Sequence, residues 1–116
     1  MTIARPEIEG FLHDQLAAWN AHDREAFFGF YRAIAPNGLT IEYVGKPPRD
    51  PWEILETMWA DHNAHMRLEP VKAIINGCEA ACHHRNHIEA AGVVIETMEL
   101  YAFGDGTLSI RYFIEA

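Results

Sequence analysis

The chain has 116 residues, 49% hydrophobic and 22% charged, with a formal net charge of −8. That length suits one domain spanning residues 1–116 with a substantial core, and the acidic balance argues against nucleic acid or anionic membrane as partners. No apolar run is long enough to span a bilayer, the first seven residues lack a signal peptide's apolar core, and two cysteines are too few for a disulfide scaffold, so a cytoplasmic protein is expected.

Ile8, Phe11, Leu12, Leu16 and Trp19 recur at helical spacing from Pro6 to Asn20. Gln15 falls inside that stripe, where its amide needs hydrogen-bond partners, either as a pocket residue or as a satisfied core group. Asp23 can cap a shorter helix carrying Phe27, Phe28, Phe30 and Tyr31, which Pro36, Asn37 and Gly38 end. Residues 39–44 alternate as a strand, with Leu39, Ile41 and Tyr43 on one face. After a Gly45–Pro48 loop, Asp50 and Pro51 open a third helix with Leu55, Met58, Trp59 and His62 as its stripe. Residues 66–76 read as a strand with a bulge or edge at Pro70. Residues 78–91, rich in Ala and His between Gly77 and Gly92, pass for a helix on propensity alone.

Residues 92–103 and 108–114 flank Gly104, Asp105 and Gly106, the pattern of a long β-hairpin. One face of its first strand carries Ile95, Thr97, Glu99, Tyr101 and Phe103. A carboxylate among such neighbours must be paired, solvated or protonated, because an unpaired buried charge is too costly. Glu99 is therefore the leading functional candidate, with a water-facing edge position as the alternative.

Leu16–Asp23, Leu39–Gly45, Pro48–Leu55 and Leu100–Gly106, in this order and spacing, resemble the nuclear transport factor 2-like superfamily. The nearest branches are its ketosteroid isomerase and SnoaL-like polyketide cyclase members. The resemblance covers essentially the whole chain. It implies an α+β cone, a curved mixed or antiparallel sheet wrapped around three helices and enclosing an apolar pocket. It also implies that residues 79–89 form a strand, with Cys82, His84, Asn86 and Ile88 facing inward.

Carried over by position, the isomerases' proton-shuttling Asp becomes Tyr43, their oxyanion-hole Tyr becomes Gln15, and their protonated Asp becomes Glu99. Two of three thus differ, which argues against a ketosteroid isomerase. In the cyclase branch the matching strand carries an acid/base Asp with a His nearby, roles open to Glu99 and His84. Tyr43, His62, His84 and Asn86 loosely resemble the Tyr, His and Asn set of fungal scytalone dehydratases. Epoxide hydrolysis, another branch, needs two acids around an Arg, and Arg85 falls on the outward face.

The expectation is a cofactor-independent lyase or isomerase for a small, largely apolar or aromatic keto or hydroxy compound. Glu99, His84 and Tyr43 are the catalytic candidates, and Gln15, Trp59, His62 and Asn86 would contact substrate. The alternative is a non-catalytic binding or dimerisation module. No metal is expected, because Cys78, Cys82, His83, His84 and His87 divide between two strand faces. Val94, Met98, Leu100 and Phe113 make the hairpin apolar on its outer face too, which predicts a homodimer through the convex sheet.

Overall fold

Residues 3–115 are described by a computed structural model of the chain. Helix α1 runs Arg5–Asn20 and α2 Arg24–Ile34; β1 (Gly38–Tyr43) and α3 (Pro51–His62) follow. Four strands complete the chain: β2 (Arg67–Asn76), β3 (Glu79–Ile88), β4 (Val93–Phe103) and β5 (Thr107–Ile114), with a single 3₁₀ turn at Glu89–Ala91. The sheet order is β1-β5-β4-β3-β2, antiparallel throughout except for the parallel β1–β5 pair. This is an α+β cone, with the sheet curled around the helices and not closed on itself.

Local chemistry explains the boundaries. The Asp23 side chain accepts the Ala26 N–H at 3.1 Å, capping α2. Asp50 and Pro51 do begin α3, although the Asp50 side chain makes no capping bond. Residues 79–88 form a strand, overriding their helical propensity. Ten ladder partners on β4 and a two-sided burial alternation outweigh the few tenths of a kcal/mol per residue by which propensity differs. The Pro70 region is bulged, as expected: the register shifts between Pro70 and Lys72, opposite His84 and His83.

The core lies between the helices and the concave face of the sheet. Phe11 makes edge-on contacts with Tyr31, Tyr101 and Phe103 at centroid distances of 5.1, 6.5 and 5.9 Å. Trp19, Phe27 and Trp59 cluster within 5.6 Å of one another, joining all three helices. Burying an aromatic side chain of this kind contributes about 1.5–3 kcal/mol. Among the described residues no helix is long and apolar enough to cross a membrane.

Candidate functional site

Because β4 is flanked by β3 and β5, Glu99 is not on an edge. Register places Cys82, Glu99, Tyr112 and Tyr43 in one row across four strands, and His84, Thr97 and Ile114 in the next. Alternation turns these side chains toward the helices, where Gln15 of α1 and Tyr31 of α2 meet them. All of them except Cys82 line a cavity of about 290 Å³.

Glu99 is 7% exposed and receives three hydrogen bonds. Tyr101 donates to Oε1 at 2.5 Å, Thr97 donates to Oε2 at 3.1 Å, and His84 Nδ1 lies 2.9 Å from Oε2. Asn86 Nδ2 donates in turn to Thr97 Oγ1 at 3.3 Å and to the Ile95 carbonyl at 3.0 Å. Donors therefore converge on both carboxyl oxygens, the arrangement that suits a carboxylate. An acceptor at Nδ1 places the His84 proton there, leaving Nε2 as the ring's acceptor nitrogen.

A second chain crosses from the sheet to the helices. Tyr31 donates to Gln15 Oε1 at 3.2 Å, and the Tyr112 hydroxyl interacts with that of Tyr31. Burial, reinforced by the Glu99 charge, pushes the Tyr31, Tyr101 and Tyr112 phenols well above their ordinary range. Tyr43, half-buried with its ring 5.4 Å from that of Tyr112, is raised by burial, opposed by nearby Arg49 and assisted by Glu99. All four phenols stay protonated at neutral pH and can act as hydrogen-bond donors.

Of the residues singled out from sequence, Gln15, Tyr43, His62, His84, Asn86 and Glu99 all line the cavity. His62 is exposed and sits at the rim, its ring 5.9 Å from that of His65. Trp59 is not on the wall. It faces Trp19, Phe27 and Phe28 instead, because the α3 surface turned inward is centred on Ile54 and Leu55. Tyr31, Tyr101, Tyr112 and Thr97 went unassigned as site residues. Tyr101 and Thr97 share the Glu99 face by alternation and could have been added, whereas nothing local marks Tyr31 or Tyr112.

Cys82 is buried beside this site, and burial with the Glu99 charge pushes its thiol up to about 12. Both cysteines are free thiols. Among the described residues, no three His, Cys, Asp or Glu side chains are grouped as a metal site requires.

Solved structures with this architecture are numerous. A protein of unknown function with a cystatin-like fold from Methylobium petroleophilum superposes with a TM-score of 0.76 at 15% identity, covering 100% of this chain and 80% of that one. A SnoaL-like protein of unknown function from Burkholderia thailandensis gives 0.68 at 19% identity, with both chains fully covered. A protein proposed to be a ketosteroid isomerase, from Kribbella flavida, gives 0.74 at 11% identity over 96% of this chain and 79% of that one. The chain has the nuclear transport factor 2-like fold. No protein-family model matches its sequence, and no curated protein does so significantly. The fold leaves the chemistry to be argued from the cavity.

Proposed function

We propose that the cavity is the active site of a cofactor-independent lyase or isomerase acting on a small, largely apolar keto or hydroxy compound. The observation that carries this reading is the 2.9 Å contact between His84 Nδ1 and Glu99 Oε2, held by Thr97 and Tyr101. A carboxylate that fixes the tautomer of an imidazole and steadies the imidazolium is the supporting half of an acid–base pair. His84 Nε2 is then the base, taking a proton from carbon beside a carbonyl, with Glu99 as its positioning partner. Gln15 of α1 and Tyr43 of β1, which both line the cavity, are donors for the oxygen that gains charge.

Loss of water follows if the β-carbon carries a hydroxyl: the C–H pair forms the double bond, and the leaving hydroxyl takes a proton from the imidazolium. Return of that proton to a different carbon gives isomerisation. A spectrophotometric screen of hydroxy ketones for enone formation tests the reading. Turnover that His84→Ala abolishes supports it; turnover that survives His84→Ala at the wild-type rate overturns it. Ligand binding without turnover across the screen would favour a binding module. The two free thiols fit a reducing compartment, so we place the protein in the cytoplasm.

We also propose a homodimer through the convex face. Val94, Met98, Leu100 and Phe113 are 37–49% exposed there. The adjoining charges are paired within the chain: Glu96 with His83 and Arg85, and Glu69 with His87. A face that is apolar and whose carboxylates are hydrogen-bonded within the chain suits a second copy of itself. Light scattering should give twice the monomer mass at micromolar concentration; a monomeric mass would overturn this.

A further inference from the structure

Asn86 pairs across the strands with Ile95, and His84 with Thr97, so inward side chains of β3 and β4 interlock beside Glu99. His84, Asn86, Thr97 and Glu99 are all buried, so each of their protons needs a partner inside the protein. The chain of donors has a fixed start. A backbone carbonyl can only accept, and the Ile95 carbonyl lies 3.0 Å from Asn86 Nδ2, so the NH₂ end of the amide must face β4. The same NH₂ group donates to Thr97 Oγ1 at 3.3 Å. A hydroxyl that accepts there has one proton left to give, and Glu99 Oε2 faces it at 3.1 Å. His84 Nδ1 reaches that same oxygen at 2.9 Å.

The direction of the Thr97 proton decides whether this arrangement holds. With the proton turned away, lone pairs on Thr97 Oγ1 and Glu99 Oε2 would face each other across 3.1 Å. The carboxylate would then shift and take its bond to His84 with it. Tyr101 anchors Oε1 at 2.5 Å, so the carboxyl group pivots at its Oε2 end. A threonine hydroxyl turns to suit its surroundings, and the donation from Asn86 is what commits this one to Glu99.

We infer that Asn86 is a positioning residue: through the Thr97 hydroxyl it aims Glu99 Oε2 at His84, without touching the substrate. The effect on rate rests on the acid–base reading, whereas the hydrogen-bond chain itself does not. The experiment is a double-mutant cycle of Asn86→Leu and Thr97→Val, changes of similar shape that each remove one link. One readout is the His84 Nδ1 proton resonance in ¹H–¹⁵N NMR, which needs no substrate. The other is deuterium exchange at C2 of 1-indanone in D₂O. Each single variant should move the resonance, and Asn86→Leu should lower the maximal exchange rate about 3–10-fold, the worth of one hydrogen bond. Added to Thr97→Val, Asn86→Leu should change neither readout further, because its route to His84 is already gone. Thr97→Ser keeps the hydroxyl and should behave as wild type, which separates loss of the link from loss of packing. Asn86→Ala gives the same cycle should Asn86→Leu not fold.

Additive effects in the double variant, or a wild-type resonance in Asn86→Leu, would overturn the relay. Weaker affinity for 1-indanone at an unchanged maximal rate would make Asn86 a substrate contact and overturn it equally. If wild type fails to accelerate exchange while the NMR cycle behaves as described, the acid–base reading falls and the relay stands.

Discussion

Replacing Glu99 by Gln exchanges one acceptor oxygen for an NH₂ donor of the same shape, and the surrounding distances decide which one. Tyr101 lies 2.5 Å from Oε1, shorter than the roughly 2.7–3.2 Å of an N–H···O bond, so the amide oxygen should stay there. The NH₂ group then takes the place of Oε2, facing Thr97 Oγ1 and His84 Nδ1. The Thr97 hydroxyl can rotate to accept. His84 can accept only by moving its proton to Nε2, and the ring then presents an N–H to the cavity where a base is needed. The fold loses a charge-assisted bond and gains a neutral one, a net cost of about 1–2 kcal/mol, or roughly 4–8 °C in Tm for a domain of this size. Turnover should fall much further, by about 10³–10⁴-fold, as expected when a catalytic imidazole is held in the wrong tautomer. Long-range ¹H–¹⁵N NMR of the histidines at pH 8 reads the tautomer directly and requires no substrate. Wild type should carry the His84 proton on Nδ1 and Glu99→Gln on Nε2; the same tautomer in both proteins would refute the reasoning.

Cys78 is exposed and Cys82 buried, with its thiol pushed up to about 12, so at pH 8 a thiol reagent should label Cys78 alone; stoichiometric native labelling of Cys82, read by mass spectrometry, would contradict the packing. Gly106 has φ 71°, and a Cβ there would meet the Asn37 side chain, whose amide donates to the Asp105 carbonyl at 3.1 Å. Gly106→Ala should therefore cost about 1–3 kcal/mol in denaturant unfolding; an unchanged midpoint would argue against this turn. Hydrogen bonds from His83 and then Arg85 hold Glu96 below the usual carboxylate range, so its contribution to stability is present above about pH 4.5 and is lost as pH falls through its lowered value. Glu96→Gln should lower Tm near neutrality and flatten its decline below pH 4.5, and superimposable Tm–pH curves would rule that out.

Most of the architecture is legible because it follows from local chemistry and periodicity. The cap at Asp23, the Pro at the start of α3, the glycine-bounded hairpin and the bulge near Pro70 each have a nearby cause. The stretch 79–88 shows where local reading fails: Ala and His favour a helix, and only pairing with β2 on one side and with β4 across ten positions on the other makes a strand. Once that strand is placed, alternation alone turns Cys82, His84 and Asn86 inward. The Glu99–His84 contact was legible in the same way, since both lie on inward faces of strands that must adjoin.

The tyrosine chain was not legible, because Tyr31 on α2 and Tyr112 on β5 meet only through the curl of the sheet over the helices. Trp59 shows the opposite limit. Its place in the α3 stripe is compatible with either the cavity wall or the helix interface, and the rotation of α3 about its axis, set by Ile54 and Leu55, selects the interface.

The claim that His84, held by Glu99, acts as a base is tested most directly by deuterium exchange. In D₂O buffer, 1-indanone incubated with the protein should lose its C2 proton signals in ¹H NMR faster than the buffer reaction does. His84→Gln should reduce that acceleration by about 100-fold or more, the usual worth of a positioned general base. Exchange at equal rates in wild type and His84→Gln would contradict the account.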